Sequence, residues 1–190
     1  MAVLGKLLRN RRAGEGGSAW NLPNLGTADT FDVHSPDFEP SGAIPLVCAA
    51  RRVGGSELSP ALTWPAPPAG TVQLLLVVED VDVPLRVPVV HCLALLHPAV
   101  TQLDRGALAA TGASDGVRIL RSSISRGYLG PAPIKGHGPH RYVFQVFALA
   151  RAVPDGVRGR AVDTARPRDV LRAAGEVLAR GRLHGCYERT

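Results

Sequence analysis

The chain has 190 residues, 45% of them apolar, and a formal net charge of +6. That length supports one domain with a sizeable core and leaves little room for two. Twenty-one Gly and sixteen Pro, scattered without period, exclude a collagen-like repeat and argue against a helix-rich fold in favour of a turn-rich one.

The charge is concentrated at the two ends. Lys6, Arg9, Arg11 and Arg12 face one acid, Glu15, in the first 20 residues, and six arginines face Asp169, Glu176 and Glu188 in the last 25. The body between them is neutral. No basic recognition element with polar readers beside it is found, so nucleic acid is not an expected partner. Cys48, Cys92 and Cys186 are odd in number and widely spaced, which suggests neither a disulfide framework nor a zinc knuckle and fits a reducing, cytoplasmic setting.

In chain order, Met1 to Arg12 sets Leu4, Leu7 and Leu8 at helical spacing among basic residues, and the Gly-rich stretch after it breaks the helix. We read residues 1–20 as a basic N-terminal arm and residues 21–190 as a single domain. The arm is expected to fray, or to serve in a homodimer or a peripheral membrane contact. From Asn21 to Ser59 short β-like pieces alternate with turns. Val72 to Asp80 is then apolar on both faces through its middle, as in a strand buried between two layers. It ends in Glu79-Asp80-Val81-Asp82-Val83-Pro84, where spacing on an extended chain predicts that Asp80 and Asp82 point the same way. The next strand, Val87 to Leu96, carries His91, expected on the face of Val89, Leu93 and Leu95.

Residues 98–126 read as a surface connection. Gly127 to Pro139 is a Gly- and Pro-rich loop that delivers histidines to the start of the strand Arg141 to Ala150, on which His140, Tyr142, Phe144 and Val146 share a face. His137, three residues ahead of His140, is expected to be a solvated rim residue. Pro167 to Arg180 has Val170, Leu171, Ala174, Val177 and Leu178 at helical spacing and predicts one C-terminal amphipathic helix, ended by Gly181 or Gly185.

The ordered set Leu-Ser-Pro-Ala-Leu-Thr-Trp (58–64), Glu-Asp-Val-Asp-Val-Pro (79–84), His91, Gly-Tyr-Leu-Gly-Pro-Ala-Pro-Ile-Lys-Gly (127–136), His-Arg-Tyr-Val-Phe (140–144) and Gly-Cys-Tyr-Glu-Arg (185–189) resembles the phosphatidylethanolamine-binding protein family. The likeness is to its bacterial Raf-kinase-inhibitor-like branch, actinobacterial in type. It implies a mainly β fold, an antiparallel Greek-key β-sandwich with a C-terminal α-helix. It also implies a small pocket lined or supported by Asp80, Asp82, Pro84, His91, Gly130, Pro131, His140 and Tyr142. Imidazole N–H, the Tyr142 hydroxyl and loop backbone N–H groups suit a phosphate-bearing or carboxylate ligand, with phosphoethanolamine offering an ammonium for the acids. No cofactor is implied. Ile134 stands where the family usually has the second proline of a pair.

Three function classes follow from the residues together with what the resemblance implies: a module that binds a phosphate-bearing ligand or phospholipid headgroup and regulates other proteins, a protein-interaction or inhibitor module, and a hydrolase. No Gly-x-Ser-x-Gly, Walker loop or His-Glu-x-x-His accompanies the Asp and His pairs, so the enzyme is the least favoured. The spacing of Asp80, His91 and His140 matches no local metal-ligand motif.

Overall fold

The computed structural model describes residues 2–111 and 114–189. Its elements in order are α1 (Ala2–Leu8), β1 (Thr30–Asp32), β2 (Leu62–Thr63), β3 (Gln73–Asp80), β4 (Val89–Leu96), β5 (Gln102–Leu103), β6 (Val117–Ile119), β7 (His140–Leu149), β8 (Gly156–Val157), β9 (Arg160–Ala161), α2 (Pro167–Ala173) and β10 (Val177–Tyr187). The fold is mainly β. Its centre is one mixed six-stranded sheet in the order β1-β10-β7-β3-β4-β6, with β1 and β10 parallel and the remaining neighbours antiparallel.

β3 shows why the sequence demands two covering layers. Leu74, Leu76 and Val78 belong to one buried cluster, which includes Leu62, Trp64 and Leu103 of the β2–β5 region. Leu75 and Val77 belong to another, which includes Val170 and Leu171 of α2. Alternate side chains of a strand leave on opposite faces, so an unbroken apolar run must be covered twice. Among the described residues the first cover is a two-stranded piece plus loops, and the six-stranded sheet does not close on itself.

The C-terminal segment departs from the sequence expectation. The helix stops at Ala173, Glu176 takes a φ of 55°, and residues 177–187 form β10. β10 pairs with β7 from Val177↔Leu149 to Tyr187↔His140. The helical spacing of Val177 and Leu178 competes with a period-two pattern, in which Ala179, Gly181, Leu183 and Gly185 are buried and Arg180, Arg182 and His184 are not. The sheet wins because it satisfies a whole ladder of backbone groups and buries β7. Gly181 and Gly185 are not stops. A Cβ on Gly181 would lie 2.6 Å from the Phe31 ring, and one on Gly185 would lie 2.6 Å from Ile44 and 2.7 Å from Phe38, so the glycines seat those side chains on the strand.

A buried polar node fixes Ala19, near the end of the N-terminal arm, to the sheet. Glu79, fully buried, accepts from the Ala19 backbone N–H and the Gln145 amide, both at 2.8 Å, and pairs with Arg168 at 2.7 Å. Glu79 and Asp80 leave β3 on opposite faces. The first anchors the chain; the second belongs to the site.

Candidate functional site

The end of β3, the start of β4 and the start of β7 lie side by side, with Asp80 opposite Tyr142 on one side and opposite Val89 on the other. This register brings Asp80, His91, His140 and Tyr142 onto a cavity of about 250 Å3. Its walls are Val83, Pro84, Leu85, Val89, Ile124, Leu129, Ala132, Pro133 and Ile134, and Arg52 stands at its edge. Arg52, Ala132, Pro133 and Ile134 also line an adjoining groove with Leu4, Lys135 and Arg189, so cavity and groove share one wall.

His91 reaches the cavity through a β-bulge. The β3–β4 register runs Val78↔Cys92 and then Glu79↔Val90, which leaves His91 as the extra residue. The bulge breaks the alternation, so Leu93, Leu95 and Val90 pack on the helix-bearing side while His91 turns to the other. There its ring meets Tyr142 edge-on at 5.2 Å between centroids. The expected shared face with Leu93 and Leu95 is therefore corrected. His91 Nδ1 donates to the Leu129 carbonyl at 2.7 Å, which leaves Nε2 as the ring atom for a ligand. Burial pushes its pKa down, against the pull of Asp80, so it presents a lone pair more readily than a proton.

The two aspartates diverge. Asp80 Oδ1 accepts from the Asp82 backbone N–H at 2.9 Å and Oδ2 meets His140 Nδ1 at 2.8 Å. Asp82 lies past the end of β3, where the chain is no longer extended, and turns away to Arg141 Nε at 2.9 Å and Arg12 at 3.2 Å. It supports the site from outside. Burial works to raise its pKa, but the Arg141 hydrogen bonds and the Arg12 charge prevail and hold it below the usual carboxylate value. Gly130 and Pro131 also support. A Cβ on Gly130 would lie 2.5 Å from Ala49 C and Ala50 N, and the Pro131 carbonyl accepts from Ala50 N–H at 3.0 Å, so the loop carrying the far wall is pressed onto residues 49–50.

His140 and Tyr142 share the cavity face as the strand pattern predicts. Burial and the neighbouring Asp80 push the Tyr142 pKa well up, so its hydroxyl stays protonated and able to donate. His140, by contrast, has both ring nitrogens engaged, Nδ1 with Asp80 and Nε2 with His137 Nδ1 at 2.7 Å. The expectation of a solvated His137 is overturned: it is fully buried under the N-terminal arm, with Nε2 2.8 Å from the Leu8 carbonyl. Arg52, Leu129 and Leu85 also escaped sequence reasoning. Arg52 and Leu85 lie outside the quoted motifs and Leu129 is an apolar residue within one, and only the chain path brings all three to the cavity. Among the described residues no group of three or more His, Cys, Asp and Glu is placed to hold a metal ion, and no helix is long and apolar enough to cross a membrane.

The fold is that of a mainly β protein family, and comparison with known proteins identifies it. The family model for phosphatidylethanolamine-binding protein matches residues 34–188, and the chain belongs to that family. It is 32% identical over 170 residues to a UPF0098 protein of Mycobacterium tuberculosis, covering 88% of this chain and 75% of that one. It is 31% identical over 173 residues to the fungal phomoidride biosynthesis cluster protein B, covering 86% and 81%. Among solved structures, Escherichia coli YbcL, described as a new member of the mammalian PEBP family, superposes with a TM-score of 0.72 at 27% identity, covering 84% of this chain and 99% of that one. The Chlamydia trachomatis homologue CT736 gives 0.70 at 25% identity, with 86% and 100% covered.

Proposed function

We infer that the protein is a binding module whose cavity takes a small phosphate-bearing ligand of the phospholipid-headgroup kind, and that occupancy regulates its contacts with other proteins. The observation that carries this is the convergence of Asp80, His91 and Tyr142 from three strands on one apolar-walled cavity with Arg52 at its edge. A bare oxyanion fits only half of it, because Asp80 repels it and neutral His91 Nε2 is an acceptor. A phosphate with an ammonium or P–OH group matches both halves. The donor group meets Asp80 or His91, and the phosphate oxygens meet the Tyr142 hydroxyl and Arg52. Phosphoethanolamine is such a ligand.

The test is calorimetric and NMR titration with phosphoethanolamine and with inorganic phosphate. Phosphoethanolamine is expected to bind more tightly than phosphate, to shift the His91 and His140 ring resonances, and to weaken at least tenfold in His91→Ala. Titrations that leave both histidines unmoved would sink the reading. A second reading, contact of the arm with an anionic membrane, is favoured by Val3, Leu4 and Leu7, which are 70%, 55% and 77% exposed around Lys6. Vesicle flotation of the chain with and without residues 1–16 tests it, and equal flotation removes its support.

A further inference from the structure

Asp80, His140, His137 and the Leu8 carbonyl form one line of three hydrogen bonds, of 2.8, 2.7 and 2.8 Å. Both ends of that line are acceptors: a carboxylate oxygen and a backbone carbonyl. Each of the three bonds needs one hydrogen, and two neutral imidazoles hold only two. The line as it stands therefore contains a third proton. We propose that the Asp80–His140–His137 chain is a binding site for one proton, and that this proton holds the N-terminal helix α1 against the loop beside the cavity. The proposal stands whether or not the cavity takes a phosphate-bearing ligand.

The consequence of losing the proton is set by the same count. With Asp80 ionised, His140 keeps Nδ1–H on the carboxylate and turns a lone pair on Nε2 toward His137. If His137 answers with Nδ1–H, its Nε2 lone pair faces the Leu8 carbonyl, and two acceptors are left at hydrogen-bond distance. If it keeps Nε2–H on Leu8, the same conflict falls between the two rings. Either arrangement leaves a buried polar group opposed, and α1 is the movable part. Arg12 to Gly14 remain tied, through Arg12 to the Pro139 carbonyl at 2.9 Å and to Asp82, and through Ala13 and Gly14 N–H to the Val83 and Val81 carbonyls. Residues 2–8 would then swing from that anchor and take Leu4 out of the groove that adjoins the cavity.

The charged and titratable groups around the chain are Asp80 on β3, His91 on β4, Tyr142 on β7 and Arg12 of the arm, with Asp82 and Arg141 turned to each other alongside. Burial, with His140 and Arg12 beside it, pushes the His137 pKa down, which works against His137 itself carrying the extra proton. A second proton, on His137, would set a donor against a donor and break the line from the acid side. Docking is thus expected in a pH window. It is lost as pH rises and the chain proton leaves, and lost again only in acid below the ordinary histidine value of about 6.5.

The experiment follows ring 15N signals of His137 and His140 and the backbone amides of residues 3–8 from about pH 5 to about pH 9, the range in which histidine pairs titrate. In the docked form one histidine should carry both ring protons while the other is a neutral Nε2–H tautomer, and the α1 amides should leave their docked positions in step with the single deprotonation. Asp80→Asn is the decisive variant. Its amide can donate to His140 Nδ1, so all three bonds are made by neutral rings, and α1 should stay docked beyond the pH at which the wild type releases it. Wild-type α1 amides that do not respond to pH, or an Asp80→Asn variant that releases α1 with the wild-type midpoint, overturn the proposal. Should Asp80→Asn not fold, His137→Ala decides: α1 should show released shifts at every pH, and wild-type pH behaviour in that variant overturns it equally.

Discussion

Arg168→Ala isolates the buried node behind the site. Glu79 is fully buried and Arg168 keeps 22% of its side chain exposed, so truncating the arginine strands a carboxylate with only the Ala19 N–H and Gln145 amide for company. Removing one partner of a buried pair costs about 3–5 kcal/mol, and because water reaches the vacated arginine position the low end applies. Arg168 also donates to the Gly17 and Pro88 carbonyls, contacts worth up to about 1 kcal/mol in total where the carbonyls rehydrate. We expect a loss of about 3–4 kcal/mol in urea unfolding, equivalent to a fall in Tm of roughly 6–16 °C for a chain of this size. Adding Glu79→Gln removes the stranded charge but keeps an oxygen for Ala19 N–H, so Glu79→Gln/Arg168→Ala should recover at least half of the loss. Asp80 lies on the opposite face, so folded Arg168→Ala should keep its affinity for phosphoethanolamine within about threefold. A loss under about 1 kcal/mol, or a double variant no more stable than Arg168→Ala, would refute the assignment of the Glu79–Arg168 pair as a buried anchor.

The Asp82 pKa is depressed in the fold, so its contribution is present above the unfolded aspartate value of about 3.9 and is lost as pH falls through the folded value. The stability gap between wild type and Asp82→Asn, read from urea midpoints, should therefore shrink toward zero in acid; a gap that widens there contradicts the ion pairing. Gly130→Ala forces a methyl onto the backbone of residues 49–50 and should cost about 1–3 kcal/mol by thermal melt while weakening ligand binding. An unchanged Tm would show that the loop is not pressed there. Burial pushes the Cys48 and Cys92 thiols up to about 11 and about 12, and neither reaches solvent. A thiol reagent should label at most Cys186 rapidly in the native protein, with three thiols reacting only after denaturation; fast labelling of two would contradict the buried placement.

Local pattern was enough where one rule acted alone. The unbroken apolar run of residues 74–78 required a covered central strand, and the alternation from His140 to Val146 placed imidazole and phenol on one face. The separated motifs, in order, carried the family, because together they mark loops and strand ends along most of the chain. Local pattern failed where two rules competed. Val170 to Leu178 satisfies a helical period while residues 179–185 satisfy a strand period, and the boundary was decided by the pairing partner β7, which lies about 35 residues away in the chain.

The sequence by itself determined which strands carry His91, His140 and Tyr142 and that Asp80 closes the strand before them, but not that Arg52 or His137 joins them. Their directions belong to the tertiary structure. His91 faces the cavity because β3 forces a bulge on β4, and Asp82 leaves it because the chain bends after Asp80 toward Arg141. His137 enters the hydrogen-bonded line because α1, 129 residues earlier in the chain, covers it with the Leu8 carbonyl. The physical reason is common to all three. Side-chain direction follows from backbone pairing and from which buried donor must meet which acceptor, and those are relations between segments far apart in the chain.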